Sequence, residues 1–346
     1  MSVPLLTVAD LRVDFHGDDG VVHAVAGVSL TLAAGEVLAL VGESGAGKSV
    51  TAMALLGLNR SPNARFTGSA TYRGLELLSA SENQLRTIRG AEIAFVFQDP
   101  MTSLNPVQRV GDQVAEQIRA HDRAIGRAAA RARAVELMER VGIPRAQVRA
   151  RAYPHELSGG MRQRVMIALA LSCSPSILIA DEPTTALDVT VQAQILDEIR
   201  RLRAEADTAV ILVTHDLGVV ADVADRVAIM YAGRIVEQGT LDEIFYDPQH
   251  PYTWGLLGSI PRVDRDAGAR LPSIAGLPPS LLDPPRGCAF SARCPHARSA
   301  CDTLPALEDR GAGHADRCCL DVADKRALRE VAPDEIGLAC VTEKVT

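Results

Sequence analysis

The order of apolar and polar positions divides the chain into a strand-rich beginning, an alternating middle and a loop-rich end. Leu5–Phe15 alternates between apolar and polar residues, and Val21–Leu32 resumes this pattern after a Gly-Asp-Asp-Gly turn. Alternation with a period of two is typical of half-buried strands, so these segments predict an antiparallel β layer. The continuous apolar run Val37–Val41 predicts a buried strand, and a helical pattern follows over Val50–Leu58.

Later segments alternate between helical and strand patterns. Met161–Leu171 is helical, Ile177–Ala180 is an apolar strand, Val191–Ala204 is helical and Ala209–Val213 is again an apolar strand. This order predicts an α/β fold with a parallel sheet and crossover helices. Val107–Gln147 is rich in Ala, Arg, Glu and Leu and poor in strand formers, which predicts a mainly helical insertion.

Prolines and cysteines mark the last third of the chain. After residue 235, repeated prolines separate short polar and apolar stretches, a pattern that is typical of loops. We therefore predict one domain at residues 1–235, with a helical subdomain at about 98–165, and a loop-rich C-terminal extension at 236–346.

The composition excludes several classes of protein. The 346 residues are 47% hydrophobic, enough for a sizeable core, and acidic residues outnumber basic ones by 43 to 36. A net charge of −7 provides no basic surface for nucleic acid, so we expect no nucleic-acid partner. The apolar runs are shorter than a membrane-spanning helix, and the N-terminus lacks a signal-like segment, so we expect a protein inside the cell.

A phosphate-binding motif follows the strand Val37–Val41. The sequence Gly42–Ser49 fits G-x-x-x-x-G-K-[ST], with the required strand before it and helix after it. In such a loop the backbone N–H groups bind phosphate oxygens, Lys48 reaches the β- and γ-phosphates, and Ser49 binds Mg²⁺. The residues predicted to bind ATP here are Gly42, Ser44, Gly45, Gly47, Lys48 and Ser49.

Two carboxylates end the strand Ile177–Ala180. Asp181 lies at the mouth of the predicted sheet, where it is placed to hold Mg²⁺, and Glu182 is the natural general base for the attacking water. The alternative for Glu182 is an exposed acidic residue without a chemical role. Together with Lys48, these carboxylates predict hydrolysis of ATP rather than binding alone.

The segment Leu157–Arg164, Leu-Ser-Gly-Gly-Met-Arg-Gln-Arg, resembles the signature sequence of the ABC family of P-loop NTPases. Ser158, Gly159 and Gly160 open a helix there and present backbone N–H groups to an anion. The resemblance implies a RecA-like parallel-sheet core with an antiparallel β subdomain and a helical subdomain. It also implies that the signature binds the γ-phosphate of ATP held by a second ABC ATPase subunit.

Further elements of the ABC family are matched in order along the chain. Gln98 resembles the Q-loop glutamine, which contacts Mg²⁺ and the attacking water and senses the membrane partner. Asp188 resembles the D-loop aspartate, and His215 resembles the switch histidine, which contacts the γ-phosphate and orients the base. Phe15 matches the aromatic residue that stacks on adenine, with packing inside the β layer as the alternative.

Two segments of the extension resemble one particular group within the ABC family. Asp247–Thr253 and Gly287–Pro295 are similar to the ATPases of oligopeptide/dipeptide importers. The resemblance implies an ATP-hydrolysing subunit that powers peptide uptake as a peripheral protein on the cytoplasmic face of the cell membrane. The implied partners are a related ATPase subunit, two transmembrane permease subunits and, indirectly, an extracytoplasmic solute-binding protein.

Three alternatives stay open at this point. ATPases of nickel or other solute importers share much of the pattern, because the permease and the binding protein select the solute. A soluble ABC ATPase of DNA repair or translation would usually carry a long coiled-coil or zinc insertion, or two cassettes, and the chain has neither. A purely regulatory cysteine module would leave the complete set of ATPase motifs without a purpose.

Most of the seven cysteines lie in the extension. Cys288, Cys294, Cys301 and either Cys318 or Cys319 are separated by five, six and then sixteen or seventeen residues. Four thiolates in a loop-rich segment suit a metal site, and some importer ATPases of this family carry an iron–sulfur cluster there. We therefore expect a [4Fe–4S] cluster, with zinc or free thiols as alternatives, although the spacing lacks the paired C-x₂-C motifs of structural zinc.

Overall fold

The computed structural model describes residues 3–99, 103–184, 189–260, 274–311 and 313–329, and these confirm the predicted α/β class. The strands are β1 (Leu6–Gly17), β2 (Gly20–Leu32), β3 (Val37–Val41), β4 (Ala64–Tyr72), β5 (Leu75–Glu76), β6 (Ile93–Val96), β7 (Ile177–Asp181), β8 (Ala209–Thr214), β9 (Arg226–Tyr231), β10 (Arg234–Thr240), β11 (Glu308–Asp309) and β12 (Ala315–Asp316).

Helices account for a further large share of the described residues. The α-helices are α1 (Lys48–Leu55), α2 (Glu82–Ile88), α3 (Val110–His121), α4 (Arg127–Arg140), α5 (Ala146–Arg149), α6 (Gly159–Ala170), α7 (Val189–Ala206), α8 (Leu217–Val223), α9 (Leu241–Tyr246), α10 (Pro251–Gly258) and α11 (Val322–Leu328). Short 3₁₀ helices lie at Pro154–Glu156, Leu171–Cys173, Ser291–Arg293 and Ser299–Asp302. No helix in the described part of the chain is long and apolar enough to cross a membrane.

The described residues form two compact units. The first is built from Met1–Leu6, Leu32–Val37 and Thr71–Val213, and the second from Thr7–Thr31, Leu38–Ala70 and Thr214–Thr346.

A parallel sheet of β6, β7 and β8 lies in the first unit. Ile179 in β7 pairs with Phe95 in β6 and with Ile211 in β8. Every residue of β7 and β8 is buried, because parallel strands are covered on both faces, and both strands are therefore almost continuously apolar. The carboxyl ends of β6 and β7 share one edge of this sheet, and Gln98 and Glu182 lie just beyond them.

The predicted helical insertion is observed as α3, α4 and α5, also in the first unit. Helices α3 and α4 pack against each other, and both pack against α6. Val110, Val114 and Ile118 are buried at intervals of four residues along α3, and Ala130 and Ala134 repeat this spacing on α4. The spacing places each set on one helical face, which explains why an arginine-rich segment still packs.

The second unit contains the strand that precedes the phosphate motif. Leu40 in the fully buried β3 pairs in parallel with Ala228 in β9, and β10 pairs antiparallel with β9. The extension contributes β12, in which Asp316 lies opposite Glu237 of β10. Lys325 donates to the buried Asp316 at 2.6 Å, which offsets the repulsion between the two acidic residues. The extension is thus part of the sheet that contains β3.

A second sheet in this unit has β1 between β2 and β4. The two residues Asp18 and Asp19 form the turn between β1 and β2, as the Gly-Asp-Asp-Gly sequence predicted. The end of β4 enters the first unit, where Tyr72 pairs antiparallel with Leu75 of β5.

Candidate active site

Two glycines shape the loop after β3. At Gly42 an added Cβ atom would lie 2.2 Å from the carbonyl oxygen of Met230, and at Gly47 it would lie 2.3 Å from the carbonyl oxygen of Ala24. Gly47 also has a φ of 97°, in the left-handed region that favours glycine. Both glycines are therefore required by the close packing of the loop backbone.

Helix α1 begins directly after this loop, at Lys48. Its N-cap is Gly47, which offers no side-chain hydrogen bond to the first turn. Backbone N–H groups at a helix N-terminus suit an anion. The Lys48 side chain is buried, and its Nζ donates to the carbonyl oxygens of Gly42 at 2.7 Å and Glu43 at 3.0 Å. The loop therefore combines N–H donors with a cation at one place.

The tip of the loop is open, whereas its base is held. Ser44 and Gly45 are exposed, and Ser49 is half-buried in the first turn of α1. The backbone N–H of Glu43 donates to the hydroxyl of Tyr252 at 2.9 Å. Sequence analysis missed Tyr252 as a residue that touches the phosphate loop, although its segment was already notable for the family resemblance.

Strand β7 ends at the two predicted carboxylates. Asp181 is its last residue and is buried. Glu182 has a φ of 47°, and its N–H donates to the carbonyl oxygen of Val213 at 2.8 Å. Its Oε2 accepts a hydrogen bond from Nε2 of Gln98 at 3.0 Å. The first unit thus brings together two of the three predicted catalytic side chains.

The Ser-Gly-Gly segment opens α6. Ser158 is the N-cap, and its Oγ accepts from the backbone N–H of Met161 at 3.3 Å. Gly159 and Gly160 form the first turn, and a Cβ atom added at Gly159 would meet nothing within 4 Å. The helix start has the predicted position, and its anion-binding role stays a prediction.

Helix α6 also contributes Gln163, which sequence analysis missed. Its side chain is buried, and Nε2 donates to the carbonyl oxygen of Pro183 at 2.9 Å. Pro183 directly follows Glu182, so this bond supports the loop that carries the predicted base. A buried polar residue on an otherwise apolar helix face needs a partner, and that is the signal that identifies it.

The other predicted site residues are Phe15, Asp188 and His215. His215 is exposed directly after β8, next to Asp216, which caps α8. Phe15 is half-buried on β1, and Asp188 lies outside the described residues. The roles predicted for Phe15, Asp188 and His215 therefore stay predictions.

The cysteines of the extension require a correction. Cys288, Cys294, Cys301, Cys318 and Cys319 line one cavity, and the sulfur atoms of Cys301 and Cys319 lie 3.4 Å apart. Among the residues that the structure describes, however, no group of three or more Cys, His, Asp or Glu side chains could hold a metal ion. The predicted [4Fe–4S] cluster is therefore wrong, and the zinc alternative gains no support. Burial raises the pKa of Cys294 and Cys318 to about 11, which favours the thiol over the thiolate that a metal requires.

Comparison with protein families finds two matching regions. Residues 25–185 match the family described as ABC transporter. Residues 236–301 match the family described as oligopeptide/dipeptide transporter, C-terminal region. The first match contains the loop Gly42–Ser49, Glu182 and the Ser-Gly-Gly helix start, and the second contains Tyr252 and three of the extension's cysteines.

Similar proteins cover nearly the full chain. An oligopeptide transport ATP-binding protein OppD from Salmonella typhimurium is 52% identical, over 91% of this chain and 93% of its own length. A dipeptide transport ATP-binding protein DppD from Bacillus subtilis is 51% identical, over 94% of this chain and 97% of its own. A solved dimeric structure of the ATP-binding cassette MJ0796, in a post-hydrolysis state bound to ADP and Pi, has a TM-score of 0.63 and 27% identity, covering 68% of this chain and 98% of that one.

Proposed function

The chain belongs to the ABC transporter ATP-binding proteins of the oligopeptide/dipeptide group, and we propose that it hydrolyses ATP to power the import of di- and oligopeptides. The observation that carries the proposal is the 52% identity to an oligopeptide transport ATP-binding protein over 91% of the chain. The two matched family regions contain the phosphate loop, the strand-end carboxylates and residues 236–301 of the extension.

Glu182 acts as the general base in this proposal. A carboxylate that accepts the proton of the attacking water must be held in one orientation. The 3.0 Å hydrogen bond from Gln98 supplies that orientation from one side, and the bond from Gln163 to Pro183 supports the loop from the other. Replacing the Glu182 carboxylate by an amide removes the proton acceptor while leaving its shape.

Lys48 supplies the positive charge that binds the phosphates. Its ammonium group donates to two neutral carbonyl oxygens of its own loop. The oxygens of a phosphate carry negative charge, whereas these carbonyl oxygens are neutral, so phosphates attract the ammonium more strongly and compete effectively for this donor. Binding of ATP therefore exchanges contacts within the loop for contacts to the nucleotide.

Mg²⁺ neutralises charge on the phosphates when it is bound. Asp181 at the end of β7 and the hydroxyl of Ser49 are hard oxygen donors of the kind that Mg²⁺ prefers, and the side-chain oxygen of Gln98 is a third. The chemistry of these donors fits the ion, and the ligand set itself stays a prediction.

The Ser158–Gly160 helix start serves a second subunit in this proposal. The family resemblance assigns it to the γ-phosphate of ATP held by the other ATPase, with Asp188 and His215 completing the closed dimer and Phe15 stacking on adenine. Two permease subunits and a solute-binding protein complete the importer, on which the chain acts as a peripheral subunit at the cytoplasmic face of the membrane.

Reconstitution tests the proposal. The chain would be co-expressed with its candidate permease and second ATPase, placed in vesicles and supplied with solute-binding protein. We expect ATP hydrolysis that rises when the binding protein is loaded with a dipeptide or tripeptide, and that disappears in Glu182→Gln. Stimulation by Ni²⁺ alone would assign the chain to a nickel importer, and recovery in a soluble ribosome or DNA complex would overturn the importer assignment.

A further inference from the structure

One arginine of the extension reaches the phosphate loop. Arg293 lies at the end of the 3₁₀ helix Ser291–Arg293, next to Cys294. Its Nη1 donates to Oε2 of Glu43 at 2.8 Å, and its Nη2 donates to Oε1 of the same carboxylate at 3.0 Å. Glu43 is the second residue of the phosphate motif, directly after Gly42. A two-pronged ion pair therefore joins the extension to the loop inside the second unit.

The remaining donors of Arg293 are all used as well. Nη1 also donates to the hydroxyl of Tyr231 at 3.2 Å, Nη2 to the carbonyl oxygen of Ile274 at 3.1 Å, and Nε to the carbonyl oxygen of Ala275 at 2.9 Å. A guanidinium has five N–H groups in a fixed planar fork, and each of them has an acceptor here. This complete set is specific for arginine, because a lysine ammonium cannot form the same fork.

The ion pair is largely withdrawn from solvent. The Arg293 side chain is 6% exposed and the Glu43 side chain 26%. The guanidinium lies near the rings of Tyr231 and Phe290, at 5.8 Å and 5.9 Å from their centres. A shielded pair with ideal two-pronged geometry constrains its partners far more than an exposed one.

Glu43 is held at three points. Its carboxylate is bound by Arg293, its backbone N–H donates to Tyr252 at 2.9 Å, and its carbonyl oxygen accepts from Lys48 at 3.0 Å. Two of these three contacts come from residues beyond 236. The orientation of the peptide groups on both sides of Glu43 is therefore determined by the extension as well as by the loop.

We propose that Arg293 is a positioning residue for ATP binding, which acts through Glu43 to hold the phosphate loop in its binding conformation. The extension thereby tunes the affinity of the loop for ATP. This inference rests on the proposed function. A bound phosphate is sensitive to small displacements of the N–H groups around it, so a change at Arg293 alters nucleotide affinity without touching the nucleotide.

The test measures ATP affinity and ATP hydrolysis in Arg293→Lys, Glu43→Gln and the double variant of the full chain. We expect about a tenfold weaker Kd and higher KM for ATP in each single variant, with kcat within about twofold of the wild type. The double variant should be no weaker than the worse single variant, because the two side chains act as one unit.

The control is Arg298→Lys. Arg298 lies in the same extension and pairs with Asp324 at 2.8 Å, with both side chains exposed to about half their area. The Arg298→Lys variant should bind ATP with the same affinity as the wild type. Glu43→Gln keeps the size of its side chain, so it carries the test if Arg293→Lys does not fold, and thermal unfolding is measured for every variant.

Unchanged ATP affinity in Glu43→Gln and in folded Arg293→Lys, with a lowered melting temperature, would overturn the inference and reduce the pair to a structural link. Losses that add in the double variant would also contradict it. Absence of ATP binding in the wild type would instead reject the proposed function, and with it this inference.

Discussion

The ends of β3 and β7 differ in their backbone and in the chemical groups that they present. After β3, the positive-φ residues are glycines, Gly45 and Gly47, and the loop presents N–H groups and the Lys48 ammonium. After β7, the positive-φ residue is Glu182, whose carboxylate is the proposed general base. One strand end presents donors that suit an anion, and the other presents a carboxylate, a group that can accept a proton.

The kind of group that each end presents explains why the positive-φ residues are glycines after β3 and a glutamate after β7. A site made from backbone N–H groups needs no side chain at its tightest turns, so glycine removes the strain. A site made from a side chain cannot use glycine, and Glu182 keeps a left-handed backbone that costs on the order of 1 kcal/mol or more. The bonds from Gln98 and from the Glu182 N–H to Val213 hold it there.

The largest expected effect comes from removing the proposed base at the β7 end. Glu182→Gln should lower kcat for ATP hydrolysis by about 10²–10⁴-fold, because the amide cannot accept the proton of water. ATP binding should persist and the ATP-bound dimer should accumulate, as size-exclusion chromatography with ATP would reveal. The exposed Glu136→Gln on α4 is the matched control. Near-normal turnover in Glu182→Gln would remove this residue from the base role.

A substitution at the β3 end should weaken the binding of ATP rather than slow its hydrolysis. Lys48→Ala should weaken ATP affinity by about 10–100-fold, since it removes charge-assisted hydrogen bonds to the phosphates. Titration calorimetry with ATP measures this directly, and adenosine serves as a ligand without phosphates. The same affinity for ATP in wild type and variant would contradict the phosphate assignment.

A smaller effect, on stability, measures the cost of the left-handed backbone at Glu182. Glu182→Gly and Glu182→Gln should be equally inactive, but the glycine variant should be more stable by about 1 kcal/mol, because glycine adopts a φ of 47° without steric cost. Urea unfolding of the two variants gives the difference. A less stable glycine variant would mean that the side chain contributes more to folding than its backbone costs.

The smallest effect concerns the contribution of the pair His314–Glu237 to the stability of the fold. The Nε2–H group of His314 donates to Oε1 of the buried Glu237 of β10 at 2.9 Å. Burial opposes charging of the ring, but the bond to Glu237 and its charge outweigh burial and raise the pKa of His314 above 6.5. A raised folded-state pKa means that the pair stabilises the fold below the unfolded-state pKa and loses this contribution as pH rises through the folded-state pKa.

Thermal unfolding between about pH 6 and 9 tests this sign. The melting temperature of wild type minus that of His314→Gln should be largest near pH 6 and should shrink as the pH rises. A difference that is constant with pH would mean that the imidazole stays neutral in the folded protein.

Sequence patterns anticipated the long buried elements better than the short exposed ones. Strands β3, β7 and β8 were identifiable because continuous apolar runs admit few alternatives. Strand β4 was missed because most of its positions are not buried and it contains Gly68. Strand β12 is only two residues long, and its pairing with β10 depends on a contact far away in sequence.

The sequence alone determined the chemistry of this protein: the phosphate loop, the two carboxylates, the Ser-Gly-Gly helix start and the family to which they belong. These motifs are local, so spacing and residue type are sufficient to identify them. Only the tertiary structure decided that Gln98 contacts Glu182 and that Arg293 contacts Glu43. It also decided that five cysteines of the extension line one cavity and that no metal-binding group of three or more side chains exists among the described residues. Each of these depends on side chains distant in sequence meeting at a few ångströms, a distance that no local pattern encodes.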